Sequence, residues 1–173
     1  MKLSRRTFIA TGLIGAAALA TAGWLRGPHA PASGVNRRAL DADGEALFAA
    51  IVPVLLDGAL PAEAPARQAA IAQTISGVDT AITGLAPAAR AELAQLVALL
   101  ALPPVRLGVA RVSASWNEAD PEQVRRFLDR CRDSSVTLMR AAYDALHQLT
   151  YAAWYGNPES WPAIGYPGPP SLA

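Results

Sequence analysis

The feature that most constrains the fold is a repeated alternation of helix-spaced apolar residues with proline or glycine breaks. A clear example spans residues 64–83 and is followed by Gly84. Its apolar stripe, at spacings of four, three and four, consists of Ile71, Ile75, Val78 and Ile82. Such spacing predicts a helix with one face turned to a core. No segment of similar length alternates apolar and polar residues as a half-buried strand does.

The sequence therefore predicts an all-α fold, a compact bundle of about five helices with short connections between antiparallel neighbours. The predicted helices span 41–57, 64–83, Pro87 to the Pro103-Pro104 break, Asp120 to the Ser134-Ser135 interruption, and from there to about Tyr155. The third helix is apolar on more than one side, which predicts that it is the central one.

Several helix boundaries can be assigned from capping residues. Asp41 or Asp43 can cap the first helix, in which Pro53 marks either a kink or a late start. Residues 105–112 read as either a short helix or an extended segment. The predicted bundle occupies residues 41–156.

The last two helices have clearer signals. Asp120 is predicted to cap the fourth helix with Pro121 in its first position, and Gln123 can reach back to the cap. Its apolar stripe consists of Val124, Phe127, Leu128 and Cys131. The seam of the last helix consists of Val136, Met139, Tyr143, Leu146 and Thr150. Gly156 is predicted to end that helix in a left-handed conformation.

Charge is distributed unevenly along the chain. The formal net charge is +1, but residues 1–40 hold six basic and no acidic residues, and residues 41–173 hold nine arginines and fourteen acidic residues. The body is therefore mildly acidic, which argues against a nucleic-acid partner. With one cysteine, the chain has neither an internal disulfide nor a paired-cysteine haem attachment motif.

The basic start resembles an export signal. Ser4, Arg5, Arg6 and Phe8 lie in the segment Ser-Arg-Arg-Thr-Phe-Ile, which precedes an uncharged apolar run from Ile9 to Leu25. This arrangement is that of a twin-arginine (Tat) signal, predicted for residues 1–30 and followed by a flexible linker at 31–40. Cleavage of the leader is favoured; an uncleaved leader would instead serve as a membrane anchor.

The C-terminal segment is predicted to be an irregular tail at 157–173, rich in aromatic, proline and glycine residues. Two alternatives remain for it: the rings pin the tail onto its own helices, or they form a partner interface. The candidate interface residues are Trp154, Tyr155, Asn157, Pro158, Trp161, Ile164, Gly165, Tyr166, Pro167 and Gly168.

Three other features have a plain structural interpretation beside a functional one. His147, with Arg140, Asp144 and Tyr151 at helical spacing, suggests either a solvated or salt-bridged histidine, or a general base or metal ligand. The arginine-rich cluster around Asp129 is either a solvated helix face or a contact for an acidic partner. Cys131 is either a buried thiol or an intersubunit disulfide partner.

The tail carries a family resemblance. The pattern Tyr155-Gly156-Asn157-Pro158, then Trp161, then 164–169 (Ile-Gly-Tyr-Pro-Gly-Pro) resembles the C-terminal signature of the gluconate 2-dehydrogenase subunit 3 family. The Tat-type leader and a helical body of similar length agree with that resemblance.

The resemblance implies a function without catalysis. It implies a small subunit that binds, stabilises and escorts a glucose–methanol–choline-type flavoprotein dehydrogenase through the Tat translocase. FAD would then sit in that partner, and a cytochrome c subunit would hold haem. No catalytic, cofactor or metal residues are implied in this chain. The alternatives are a stand-alone periplasmic enzyme that uses His147 and a membrane tether with an uncleaved leader.

Overall fold

The computed structural model describes residues 39–168. The predicted export signal at Ser4, Arg5, Arg6 and Phe8, most of the predicted linker, and tail residues 169–173 lie outside the described residues. Within 39–168 the chain is all-α and has no strand, which confirms the predicted fold class.

Within residues 39–168, six α-helices, one π-helical turn and two 3-10 segments follow one another. They are α1 (Ala42–Leu55), α2 (Ala64–Thr83), α3 (Pro87–Ala101), the single turn α4 (Pro103–Val105), a π-helical turn (Arg106–Ala110), a 3-10 turn (Trp116–Glu118), α5 (Pro121–Arg132), α6 (Thr137–Tyr155) and a 3-10 segment (Pro158–Ile164). Segment 105–112 is thus mostly helical rather than extended.

Capping side chains begin two of these helices. The Asp41 carboxylate accepts a hydrogen bond from the Gly44 amide at 2.9 Å, and the Asp120 carboxylate accepts one from the Glu122 amide at 3.0 Å. These bonds satisfy amides that have no partner inside the helix. Pro53 lies inside α1, so a late helix start is excluded. The prediction that Gln123 reaches back is wrong, because its Oε1 accepts from the Ser113 amide.

The centre of the bundle is α1 and not, as predicted, α3. Helix α1 contacts α2, α3, α5, α6 and the Trp116 turn, whereas α3 contacts only α1, α4 and the π-turn this closely. The buried α1 side chains include Leu47, Phe48, Ile51 and Val52, each at most 1% exposed. The many apolar residues of α3 therefore do not place this helix at the centre of the bundle, and Leu96 is only half-buried.

The predicted stripes are confirmed in some helices and shifted in others. All four predicted stripe residues of α5 are buried. In α2 the buried face is instead Ala70, Thr74, Val78 and Ile82. In α6 it is Ala142, Leu146, Thr150 and Trp154. Val136 is 55% exposed, because it precedes α6 as its N-cap residue.

Two residues at the ends of the bundle also differ from prediction. Leu40, assigned to the linker, is 6% exposed and its amide donates to the Asp79 carboxylate at 2.8 Å. Gly156 ends α6 with φ −73°, a right-handed conformation. A glycine is needed there for space, since a Cβ would lie 2.7 Å from the Ala152 carbonyl oxygen.

No single helix among residues 39–168 meets the length and apolarity of a membrane span. One pair meets them jointly, Pro87–Ala101 with Pro103–Ala110, and it is bent by 75° at the break between them.

Helices α2 and α6 approach each other most closely at Gly77, where a Cβ would lie 3.0 Å from the Ala153 Cβ. We expect Gly77→Leu to lower the free energy of unfolding by about 1–3 kcal/mol, because the larger side chain must separate the two helices. A urea denaturation curve measures this. Gly108→Ala is the matched control: nothing lies within 4 Å of its Cβ position, so its midpoint should stay near wild type. Equal midpoints for all three proteins would contradict the close approach.

Candidate partner interface

One face of α6 carries a ladder of four ring side chains, Tyr143, His147, Tyr151 and Tyr155. Neighbouring ring centroids lie 5.4, 4.2 and 5.6 Å apart along the helix. Residues four apart share a helix face, so the spacing itself was the sequence signal for this ladder. The predicted buried seam includes Tyr143 and the predicted polar side includes Tyr151, so the ladder was not predicted. Its last ring, Tyr155, stands next to the tail and is 45% exposed.

Tyr151 ties this ladder to the central helix. Its hydroxyl donates a hydrogen bond to the Leu55 carbonyl oxygen at the end of α1, at 3.1 Å. Burial, followed by the neighbouring Tyr155 and Tyr143 hydroxyls, raises the pKa of Tyr151 above its ordinary value. The hydroxyl therefore keeps its proton, and its ability to donate, in the neutral range.

The described part of the tail begins with the 3-10 segment Pro158–Ile164. Asn157 precedes that segment, and its Oδ1 accepts from the Glu159 amide at 3.1 Å. Its Nδ2 reaches Gln73 of α2 at 3.4 Å, and Gln73 Nε2 donates to the Glu159 carboxylate at 2.7 Å. These three polar side chains connect the tail to α2.

Trp154 is part of the core and not of an exposed interface. Its side chain is 4% exposed, and its indole N–H has no acceptor among the described residues. The Ser160 hydroxyl, also buried, lies 2.7 Å from the Trp154 carbonyl oxygen and 2.8 Å from that of Asn157. The end of α6 and the start of the tail are thus packed together.

Trp161 organises the next part of the tail. Its indole N–H donates to the Tyr155 carbonyl oxygen at 2.8 Å, and its ring meets the Tyr166 ring edge-on with centroids 5.2 Å apart. Gly168, at φ 98°, passes so close that a Cβ would lie 3.2 Å from the Trp161 ring. The chain therefore wraps around Trp161, and both the positive φ and the lack of space favour glycine at 168.

What remains open to a partner is smaller than the predicted set. Tyr155 and Tyr166 are 45% and 44% exposed and are joined through Trp161; we call these two side chains the tyrosine face. Pro158, Gly165 and Pro167 are also exposed, while Asn157, Trp161 and Gly168 are half-buried. Ile164 ends the 3-10 segment. A cleft of about 630 Å³ lies beside the tail, between Leu60, Gln73 and Ser160.

His147 is positioned by rings and not by charges. It stacks on Tyr151 and contacts Tyr143, as the ladder requires. The predicted neighbour Arg140 bonds instead to Ser134 and Thr137. The Asp144 side chain forms no hydrogen bond or ion pair within residues 39–168, so the structure does not assemble a charged group around His147.

The arginine-rich cluster is largely occupied by contacts within the protein. Arg125 pairs with Asp57 at 2.9 Å, and Arg132 pairs with Asp129 at 3.1 Å and with Asp133 at 3.0 Å. Arg126 donates to the Glu122 carbonyl oxygen of its own helix, and Arg130 donates to Ala110. Exposed ion pairs of this kind contribute little to stability.

Cys131 is 1% exposed, as its place on the α5 stripe indicates. Burial raises the pKa of its thiol to about 11, partly offset by Arg130. A buried thiol cannot reach another chain while α5 stays packed, so the structure favours the core interpretation over an intersubunit disulfide. Within the described part of the chain, no three His, Cys, Asp or Glu side chains gather as metal ligands would.

No protein-family model, curated protein or solved structure matches this chain. The resemblance of the tail to a small dehydrogenase subunit stays a prediction that depends on the residues quoted for it.

The buried thiol gives a direct prediction. At pH 8 we expect native Cys131 to react with iodoacetamide at least about a hundredfold more slowly than the unfolded chain, because its pKa of about 11 leaves little thiolate. Mass spectrometry of the timed reaction measures this. A Leu138→Cys variant, with its thiol at a position 69% exposed, provides the reactive control. Equal rates for both thiols in the native protein would contradict the packing of α5.

Proposed function

We propose that this chain is a non-catalytic small subunit that binds, stabilises and escorts a flavoprotein dehydrogenase. The partner is of the glucose–methanol–choline type, acts on sugars, polyols or alcohols, and holds the FAD. A cytochrome c subunit completes the complex and holds the haem. The proposal rests on the resemblance of the tail and leader, and it gives the described domain the role of an adaptor.

The observation that carries the proposal is the tyrosine face. Tyr155 and Tyr166 stand exposed on a backbone that Trp161 and the Asn157–Gln73–Glu159 bonds hold in place. Tyrosine rings on an ordered backbone lose little conformational entropy on docking and bury a large area, which is typical of interface anchors. Each of the two rings contacts one neighbouring ring of the protein and still leaves more than two fifths of its surface open.

The leader supplies the second part of the proposal. The Tat route carries folded proteins, and a signal on this chain would export a signal-less partner after that partner has folded around FAD. The complex would then act in the periplasm, associated with the membrane. The binding surface on this chain and the address at its N-terminus have separate roles, so they can be tested separately.

The export role predicts that the double variant Arg5→Lys with Arg6→Lys retains both this chain and the flavoprotein in the cytoplasm, since the receptor reads the arginine pair and not the charge alone. Cell fractionation with dehydrogenase activity as the readout measures it. The chain offers a matched control in Arg37 and Arg38, whose replacement by lysine should leave export unchanged. If the flavoprotein still reaches the periplasm when the leader carries the two lysines, the escort role is wrong.

The binding role predicts that Tyr155→Ala with Tyr166→Ala weakens association with the flavoprotein by at least about tenfold, as loss of two anchors does. Affinity measured with purified subunits tests this. The unfolding midpoint should change little, because both side chains project from the core. Leu138→Ala removes a more exposed apolar side chain elsewhere and should keep full affinity. Undiminished affinity of the tyrosine variant would assign these rings to tail packing alone.

A further inference from the structure

A second exposed surface lies far along the chain from the tail. Residues 103–111, which we call the apolar turn, connect α3 to the segment before the Trp116 turn. Leu107 is 53% exposed and Val109 is 46% exposed, and Gly108 between them is exposed as well. The exposed residues Pro103 and Pro104 precede them, so this stretch presents aliphatic surface without an aromatic ring or a neutral hydrogen-bonding side chain.

The base of the apolar turn is firmly held. Ala110 and Val112 are fully buried beneath it. Arg130 of α5 donates to the Ala110 carbonyl oxygen at 2.7 Å. The Arg106 guanidinium donates to the carbonyl oxygens of Val112 and Ser113 at 3.2 and 3.0 Å. The exposed side chains are thus presented on an ordered support.

The charges within the turn and next to it in the sequence have one sign. Between Glu92 and Glu118 the sequence holds no acidic residue, and its only charges are Arg106 and Arg111. Arg130 adds a third cation from α5, and the neighbouring Asp129 is already paired with Arg132. Arg111 is exposed, and its side chain forms no hydrogen bond or ion pair with any residue that the structure describes. Its backbone adopts φ 53°, which is uncommon for a residue other than glycine or asparagine.

We propose that the apolar turn docks on the surface of a membrane that contains anionic phospholipids. Leu107 and Val109 enter the boundary between headgroups and acyl chains, and Arg111 lies against the lipid phosphates. Aliphatic side chains beside cations are suited to this interface, where apolar burial and attraction to anionic lipid add together. The inference goes beyond the proposed function and does not depend on it, because no residue of the tyrosine face takes part.

Lipid is favoured over a protein partner by the chemistry of the turn. Protein interfaces are anchored by aromatic side chains and by hydrogen bonds that need fixed acceptors. The apolar turn has no aromatic ring, and Arg106 and the adjacent Arg130 already donate to backbone carbonyls, which leaves Arg111 as the side chain of the turn that can donate to a lipid phosphate. A fluid lipid surface needs no shape match to Leu107 and Val109, only an apolar layer beneath a negative one.

The test places a fluorescent probe at the turn. Gly108→Cys in the full chain gives a thiol with free space around it, and the buried Cys131 is protected from labelling. With an environment-sensitive dye at 108, we expect a blue shift on adding phosphatidylcholine vesicles that contain phosphatidylglycerol, and a much smaller shift with phosphatidylcholine alone. Adding Leu107→Ser and Val109→Ser should weaken the titration at least about fivefold.

A dye on Leu138→Cys is the control, because position 138 is exposed on α6, outside the apolar turn. The Leu138→Cys protein has the same leader as the Gly108→Cys protein. Binding of the vesicles through the leader is therefore common to both proteins and is not the source of a difference between their labels. A shift at 108 and none at 138 supports the proposal. No shift at 108, an equal shift at both positions, or a shift at 108 that appears only when the flavoprotein is added would overturn it.

Discussion

The burial of α1 on nearly every side is the constraint on which the rest of the structure depends. Leu47, Phe48, Ile51 and Val52 form one face of this helix and are each at most 1% exposed, and no residue of α1 after Asp43 is exposed. Removing each such side chain from water contributes roughly 1.5–3 kcal/mol, so the other helices gain most by surrounding α1. Helices α2, α3, α5 and α6 all contact it, and α2 and α5 also pack directly on α6.

Helix α6 is held by contacts with α1 and α2, and α6 in turn fixes the position of the tail. Tyr151 bonds to the end of α1, and Ala153 packs on Gly77 of α2 where only a glycine leaves room. The last residue of the helix, Tyr155, is thereby fixed, and its carbonyl oxygen receives the Trp161 indole. The two alternatives for the tail are therefore compatible: some rings fasten it to the bundle, and that fastening presents the others.

Helix caps and the buried face of α5 were predictable from sequence, whereas the buried faces of α2 and α6 were predictable only in part. Caps such as Asp41 and Asp120 act within one turn, so they set helix starts without knowledge of the fold. Buried faces depend on what packs against them. Thr74 and Thr150 are buried because each hydroxyl donates to the carbonyl oxygen four residues earlier, which hides its polarity from the core. A pattern that counts threonine as polar misses Thr74, and the predicted face of α2 is displaced by one residue at Ile71 and Ile75.

The wrong choice of α3 as the central helix has a physical cause that bears on function. After Glu92, the apolar residues of α3 continue into the apolar turn without an acidic residue. A sequence pattern alone does not distinguish apolar residues that the core buries from apolar residues that stay exposed. Here some of them are exposed, namely Leu107 and Val109 on the turn. Exposed aliphatic side chains on an ordered backbone are retained at a cost in solubility, which favours a use for them outside the fold. The tyrosine face presents aromatic rings with hydroxyl groups, whereas the apolar turn presents aliphatic side chains beside arginines. This chemical difference suits the two surfaces to different partners.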